Sequence, residues 1–274
     1  MIVLGITQVD RFYGLGSARD DIQQGDISVL SYNTQGLFDL KSNSSDFLEI
    51  IDVMRSTDII LLQEVGGDAL EKIQQHLPSH QLYKSPDVHL AVLTKAQISG
   101  GGLVNKENAS NGSIWVDLKI NQTEIRAYNT HLQSYRVART ASDIIDKGEL
   151  GDDKTWSDIK YILGLIKTMS KRRSNQVDEI SEHIHKTSKK IILAGDFNDT
   201  PVSNTYYRLA GKLTDTFSAT GKGVGTTYAG KIPLLRIDYI FADPKFEAVQ
   251  HTVINNTISD HYPIRSIIRI APES

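Results

Sequence analysis

The sequence predicts a mixed α/β layered fold, and three observations support this. Short runs rich in β-branched residues recur along the 274 residues, helical patterns stand between some of these runs, and two runs are separated by only three residues. Such a short separation is typical of a β-hairpin, so at least part of the sheet is antiparallel. Helices that alternate with strands, together with a hairpin, favour a mixed sheet over a purely parallel one.

Eight runs are predicted as strands: ISVLSYN, DIILLQE, HLAVLT, SIWVDLKI, EIRAYNTH, KIILAGDFN, RIDYIFA and PIRSIIRI. The segment SSDFLEIIDVMRS has apolar residues at helical spacing, with Ser44 or Ser45 as the N-cap. The same spacing from residue 156 to residue 186 predicts one long helix or two in tandem. The glycine-rich segments 99–112 and 218–230 are predicted to be loops.

Composition excludes several kinds of chemistry. The chain has no cysteine, which removes disulfides, thiolate nucleophiles and cysteine-based zinc sites. Lys and Arg number 30 against 33 Asp and Glu, which gives a formal charge of −3. This charge does not indicate a protein that coats polyanions in general, although it is compatible with a local basic groove. The opening MIVLG has no basic lead and no long apolar run behind it, so we expect a soluble domain without a signal peptide or spanning helix.

The stretch KKIILAGDFNDTP places an acid and an amide just where an apolar strand ends. Because strand side chains alternate, Asp196 and Asn198 are expected on one side and Phe197 on the other. Taken alone, these polar residues could be ordinary turn formers before Pro201.

Other strand ends carry polar residues of the same kind, which decides between these interpretations. The full set is Asn33, Glu64, Asn129, His131, Asp196, Asn198, Asp238, Asp260 and His261. A carboxylate attached to an apolar strand must be satisfied by hydrogen bonds or by a cation, and several carboxylates gathered at one edge repel one another unless a cation lies among them. Oxygen ligands without sulfur favour Mg²⁺, with Mn²⁺ or Ca²⁺ as substitutes.

Acids, a divalent metal and two histidines together suit phosphodiester hydrolysis. That reaction requires an in-line nucleophile, neutralisation of charge on the equatorial oxygens and a proton for the leaving alkoxide. Imidazole titrates near neutral pH, so His131 and His261 can divide the general-base and general-acid duties.

Six motifs carry a family resemblance: SYNTQG, LLQEV, YNTHLQS, GDFND, RIDYIF and SDHYP. In this order and at these intervals, from about Ile27 to Ile270, the chain resembles the DNase I-like endonuclease/exonuclease/phosphatase superfamily. The resemblance implies a four-layer α/β/β/α sandwich, with two mixed β-sheets packed face to face and helices outside. It also implies an N-terminal extension over residues 1–25 and a single catalytic domain over residues 26–274.

The resemblance further implies roles for individual residues. Glu64 matches the principal metal ligand of the superfamily, with Asn33 and Asp260 completing or supporting the metal site. Asp196 and Asn198 match the pair that orients or deprotonates the attacking water and holds the phosphoryl oxygens.

Two histidines and one further acid complete the implied site. His261 matches the histidine that faces the scissile phosphate, and Asp238 matches the acid that hydrogen-bonds this histidine and sets its tautomer. His131 matches a second histidine present in the DNase I and sphingomyelinase branches.

Three points stay open on the sequence. Asp238 could instead form an ion pair with Arg236. Asp87 could orient His131 or could be a turn residue after a proline. Arg136 and Arg139 could contact a substrate phosphate, although solvated charges are favoured for both.

The leading functional hypothesis is a Mg²⁺-dependent phosphodiesterase that acts on a phosphate-ester substrate, with nucleic acid, DNA above all, as the first guess. One alternative keeps the catalytic centre but changes the substrate to a phosphoinositide or to the head group of sphingomyelin. A second alternative is a non-catalytic scaffold on the same fold, and the intact acids and histidines argue against it.

Overall fold

The computed structural model describes residues 10–16, 21–36, 44–120, 122–134, 152–230 and 234–271, with the backbone alone over residues 152–166. Arg136 and Arg139 lie outside these ranges. Among the described residues, no helix combines the length and apolar character that a bilayer crossing requires.

The described chain forms strands and helices in alternation. The strands are β1 (Tyr13–Leu15), β2 (Ile27–Asn33), β3 (Ile59–Gln63), β4 (Gln81–Lys84), β5 (Leu90–Thr94), β6 (Gln97–Lys106), β7 (Gly112–Ile120), β8 (Thr123–His131), β9 (Lys190–Asp196), β10 (Thr214–Asp215), β11 (Lys222–Val224), β12 (Asp238–Ala242), β13 (Phe246–Val253) and β14 (Ile264–Ile270). The helices are α1 (Ser45–Ser56), α2 (Gly67–His76), α3 (Asp152–His185), α4 (Asn204–Ala210) and α5 (Thr216–Thr220).

Two six-stranded mixed sheets form the centre of the molecule. Sheet 1 has the strand order β13-β14-β2-β3-β5-β4, and sheet 2 has the order β10-β12-β9-β8-β7-β6. Each sheet contains one parallel pair, β2 with β3 and β8 with β9, among antiparallel neighbours. The predicted hairpin is confirmed, because β7 and β8 pair in antiparallel register from Gly112 with His131 to Ile120 with Thr123.

Three apolar clusters define four layers. The first, which includes Val29, Leu61 and Ala194, fills the space between the two sheets. The second joins sheet 1 to α1 and α2, and the third joins sheet 2 to α3 and α4. The α/β/β/α sandwich implied by the resemblance is therefore confirmed.

The glycine-rich segment 99–112 was predicted to be a loop, and this is wrong for most of its length. Residues 97–106 form β6, the edge strand of sheet 2. Aromatic rings cover its glycines: a Cβ atom on Gly101 would lie 2.4 Å from the Tyr83 ring, and one on Gly102 would lie 2.8 Å from Trp115. These glycines therefore make room for neighbouring rings, a packing role that composition does not distinguish from a loop.

The second glycine-rich segment, 218–230, was also predicted to be a loop. It contains the end of α5 and the short strand β11, which pairs with β1 in an antiparallel ribbon. Arg236 Nη1 donates to the carbonyl of Arg11, so the described part of the N-terminal segment packs against the body of the domain. The predicted helical segment from 156 to 186 belongs to one helix, α3, up to its last residue, His185.

A buried histidine gives the fold a predicted acid sensitivity. His251 Nδ1 lies 2.9 Å from both the Thr216 and the Ser266 hydroxyl oxygens, and Phe217 packs edge-on against its ring. Burial, assisted by the charge of Arg236, lowers the pKa of His251 to about 3. The unfolded chain therefore binds this proton from about pH 6.5 downwards, whereas the folded chain does so only near pH 3.

We expect the contribution of neutral His251 to be fully present above pH 6.5 and to be lost as the pH falls towards 3. The loss approaches about 1.4 kcal/mol per pH unit, or about 2 kcal/mol between pH 6.5 and pH 5. Urea unfolding of wild type and His251→Asn at pH 7, 6 and 5 measures it. The variant should start less stable and lose less stability on acidification; parallel losses in both proteins would contradict this assignment.

Candidate active site

Strand direction gathers the predicted site residues at one edge of the sandwich. In sheet 1 the parallel strands β2 and β3 end together, with Asn33 opposite Gln63, so Glu64 follows at the same edge. In sheet 2 the parallel strands β8 and β9 also end together, with His131 opposite Asp196. Strand β12 runs the other way and begins there, with Asp238 opposite Asp196.

Side-chain alternation then turns these residues into the space between the sheets. Ile192 and Ala194 of β9 belong to the inter-sheet core, so Asp196, two residues on, lies on the same inner face. Phe197 points the other way and is buried in the third apolar cluster, as the sequence predicted. The apolar space between the sheets therefore opens into a polar cleft at the edge where β2, β3, β8 and β9 end.

Asp196 is the hub of this cleft. Its Oδ2 accepts hydrogen bonds from the side-chain amides of Asn33 at 3.0 Å and Asn198 at 3.1 Å. The same Oδ2 lies 3.5 Å from Nε2 of His131 and 3.7 Å from Nε2 of His261. Two imidazoles therefore approach one carboxylate oxygen.

Glycine is required immediately before this acid. Gly195 has φ +141°, and a Cβ atom there would lie 1.8 Å from the carbonyl oxygen of Thr130 on β8. The close approach of β9 to β8 that sets His131 beside Asp196 therefore excludes any side chain at position 195.

Three loop residues of the cleft adopt a left-handed backbone: Gln35, Glu64 and Asn198, with φ of 47°, 50° and 51°. Such a conformation is costly for a residue other than glycine, and asparagine tolerates it best. At Glu64 the turn is secured because its carbonyl accepts from the Gly36 amide at 2.8 Å. The Glu64 side chain is left partly exposed, with Oε1 at 3.5 Å from Nε2 of His131 and 3.4 Å from Nδ2 of Asn33.

His261 forms a buried pair with Asp238. Its Nδ1 lies 3.1 Å and 3.0 Å from the two carboxylate oxygens of Asp238, which leaves Nε2 facing Asp196. Burial by itself lowers the pKa of His261, but the charges of Asp238 and then Asp196 outweigh burial and raise it to about 10. Without a bound cation, this side chain is therefore an imidazolium at neutral pH.

The alternative partner for Asp238 is excluded. Arg236 directs Nη2 at Asp215 Oδ1, 2.5 Å away, in a separate buried ion pair. Both carboxylate oxygens of Asp238 instead face Nδ1 of His261, and the backbone N–H of Asp238 donates to the Thr227 hydroxyl oxygen at 3.1 Å.

His131 is oriented by a backbone carbonyl. Its Nδ1 lies 2.7 Å from the carbonyl oxygen of Ser110, so this nitrogen carries the proton and Nε2 faces the acids. Asn111 Nδ2 lies 3.4 Å from that Nε2 and donates to the Leu132 carbonyl at 3.0 Å. Asp87 does not take this place, because it pairs with Lys106 at 3.3 Å.

The cleft encloses about 630 Å³ and includes residues for which the sequence predicted no role. Gln35 Nε2 donates to Asp260 Oδ2 at 3.0 Å, and Tyr228 packs edge-on against the ring of His261. Asp260 Oδ1 in turn lies 3.9 Å from Nε2 of His261. Of the eight predicted site residues, six line the cleft directly, and Asn33 and Asp238 are buried beneath them.

The donor set suits a hard cation. Four carboxylates, those of Glu64, Asp196, Asp238 and Asp260, share this edge, and no Lys or Arg is among the described residues that line the cleft. Asp196, Asp238 and His261 place one potential ligand atom each within 4.8 Å of one another, so this buried group could hold a metal. Oxygen-rich surroundings of this charge fit Mg²⁺, Mn²⁺ or Ca²⁺.

A protein-family model agrees with this geometry. The model of the endonuclease/exonuclease/phosphatase family matches residues 30–261, most of the chain. The chain belongs to this family. Membership assigns it to the hydrolases that act on phosphate esters, and the matched range spans every predicted site residue.

Solved structures share the family fold at low sequence identity. A humanized D. rerio TDP2 carrying 14 mutations is 16% identical, with a TM-score of 0.65 over 89% of this chain and 99% of that one. A family protein from Bacteroides thetaiotaomicron is 18% identical, with a TM-score of 0.63 over 90% and 98%. The mannosyl-6-phosphatase Bt3783 of the same organism is 18% identical, with a TM-score of 0.61 over 88% and 99%. No curated protein sequence matches the chain.

Proposed function

We propose that this protein is a divalent-metal-dependent phosphodiesterase, with nucleic acid as its first substrate. The observation that carries the proposal is the convergence of two imidazoles on one carboxylate oxygen: Nε2 of His131 and Nε2 of His261 lie 3.5 Å and 3.7 Å from Oδ2 of Asp196. Groups that accept and donate protons on either side of an acid suit a reaction that deprotonates water and protonates an alkoxide.

We assign the metal to the exposed side of the cluster. Glu64 is the ligand of choice because its carboxylate is partly exposed, and Asn33 and Asp260 are assigned to complete or support the site. Asp238 is less suited, since both of its oxygens face Nδ1 of His261. When bound, Mg²⁺, or Mn²⁺ or Ca²⁺ in its place, supplies charge neutralisation for the phosphoryl oxygens.

The protein's own side chains provide the remaining chemistry. His261, held by Asp238, can donate a hydrogen bond from Nε2 to a phosphoryl oxygen or, when protonated, a proton to the leaving group. Asp196 Oδ2 and His131 Nε2 are acceptors for a water proton, and Asn198 fixes Asp196 through its amide. Both acceptors stay candidates for the general base.

A phosphate monoester of a polyhydroxylated alcohol is a second candidate substrate. The side-chain amides of Gln35, Asn108, Asn111, Gln133 and Asn198 line the cleft. Amides hydrogen-bond neutral hydroxyl groups as donors and as acceptors, which suits a sugar. The fold similarity to the mannosyl-6-phosphatase Bt3783 is compatible with this choice but does not carry it.

A substrate panel tests the proposal. Purified protein with Mg²⁺, and separately with EDTA, is incubated with plasmid DNA, single-stranded DNA, RNA, mannose 6-phosphate, a phosphoinositide, sphingomyelin and a bis-aryl phosphate. We expect cleavage of a nucleic acid that EDTA abolishes and Mn²⁺ restores.

Asp196→Asn, purified in parallel, is the control for contaminating nucleases, and its activity should fall by roughly 100-fold or more. If the nucleic acids stay intact while mannose 6-phosphate or a lipid is hydrolysed, the hydrolysed compound replaces nucleic acid as the proposed substrate. A folded protein inert towards every substrate would favour the scaffold alternative.

A further inference from the structure

Helix α3 carries a buried arginine, Arg173, next to the loops that border the cleft. Arg173 is fully buried, with 0% of its surface exposed, although arginine is among the residues least often found inside a protein. No sequence motif pointed to this residue. Burying a guanidinium is costly unless hydrogen bonds satisfy it, so its partners indicate what the residue achieves.

The guanidinium joins the two loops that follow β8 and β9. Its Nη1 donates to the carbonyl of Gln133 at 3.1 Å and to the carbonyl of Asn198 at 2.9 Å. Its Nε lies 3.5 Å from Asp199 Oδ2. One loop follows His131 directly, and the other contains Asn198, the partner of Asp196.

A second residue of the same helical turn holds the first loop from the other side. Gln176 Oε1 accepts from the Gln133 backbone amide at 2.9 Å, so the turn binds both the N–H and the C=O of Gln133. The Gln176 carbonyl accepts from Asn105 Nδ2 at 3.2 Å, which ties the turn to edge strand β6. This turn of α3, which carries Arg173 and Gln176 and which we call the anchor, is therefore itself held by β6.

Asn198 shows why such an anchor matters. Its backbone is left-handed, and its side chain donates both to Asp196 Oδ2 at 3.1 Å and to the Leu132 carbonyl at 3.0 Å. A conformation of this kind persists only when its surroundings fix it. The Asn198 carbonyl, which points away from the cleft to Arg173, supplies part of that restraint.

We propose that Arg173 is a positioning residue that fixes Asn198, and through it the Asp196 carboxylate, by holding the loops after β8 and β9 to α3. The inference rests on the phosphoesterase function proposed above. Lysine carries the same charge but lacks the planar fork that reaches several acceptors, so Arg173→Lys removes the clamp while it keeps the charge.

The test compares Arg173→Lys with Val177→Ala, a matched variant one turn further along α3 whose side chain is equally buried. Both should lose thermal stability. We expect Arg173→Lys to lower kcat by roughly 10- to 100-fold, since small misplacements of reacting groups have effects of this size, with KM changed by less than about threefold. Val177→Ala should keep kcat within about threefold of wild type. Equal losses of kcat in the two variants, or wild-type kcat in Arg173→Lys, would overturn the proposal.

Hydrogen–deuterium exchange gives a readout that does not depend on activity. Arg173→Lys should raise exchange in peptides covering 132–134 and 197–200, with the rest of β8 and β9 unchanged, whereas Val177→Ala should not. Unchanged exchange in both loops would overturn the positioning role. If the wild-type protein is inert in the substrate panel, the proposed function fails. The exchange measurement would still decide whether Arg173 positions the two loops.

Discussion

Replacing His261 with alanine is expected to lower kcat by roughly 10²–10⁴-fold, the range that general acid–base groups contribute. His261 directs Nε2 at Asp196, and no other described residue occupies its position against Asp238. Steady-state kinetics on the substrate found in the panel would measure the loss. KM should change much less than kcat, because the group acts mainly in the transition state.

His185→Ala is the matched control, since His185 is exposed near the end of α3 and contacts only its own helix through Ser181 among the bonds described. It should keep wild-type kinetics. Near-normal activity of folded His261→Ala would remove His261 from the proposed chemistry.

Changing Asp196 to asparagine is expected to lower kcat by a comparable factor, roughly 10²–10³-fold. Asp196 Oδ2 accepts from the amides of Asn33 and Asn198 and faces two imidazoles. An asparagine there has no charge, and its NH₂ group would face some of the same donors that the carboxylate now accepts from. The variant therefore loses the negative charge beside the two imidazoles and, on the function proposed above, the acceptor that orients the attacking water.

Asp52→Asn, on the exposed face of α1, is the control for this change and should leave kinetics unaltered. Circular dichroism and thermal unfolding would show that Asp196→Asn is folded. If the folded variant turned over at more than about a tenth of the wild-type rate, Asp196 would not be the hub of the reaction.

The sequence predicts which way Asp196 faces because strand geometry is regular, and the family resemblance implies that the polar strand ends share one site. Alternation along KIILAGDFN places Asp196 with Ala194 and Ile192 on the inner face, and the structure confirms this placement. The polar residues at the ends of β2, β3, β8 and β9 meet because each of these strands has a parallel neighbour that ends at the same edge. Alternation depends on the period of a strand, which the sequence records, whereas the parallel pairs were not predicted and come from the structure.

Contacts made by loops and by backbone atoms could not be predicted in the same way. The partner of His131 is the carbonyl of Ser110, and every residue has a carbonyl, so no residue type marks it. Gln35 reaches Asp260 across 225 positions through a left-handed turn, and Arg173 is an arginine in a helix rich in basic residues. The glycines of β6 gave a misleading signal because rings packed over a strand require the same residue as a flexible loop.

The central claim is that Glu64, His131, Asp196, Asp238 and His261 form one centre that holds a hard cation beside a phosphate. The most direct test is a crystal structure of the protein grown with Mn²⁺ and inorganic phosphate, with anomalous data recorded for manganese. We predict an anomalous peak about 2 Å from a Glu64 carboxylate oxygen and a phosphate hydrogen-bonded to Nε2 of His261. Manganese bound elsewhere only, or a phosphate that makes no contact with His261, would contradict this account.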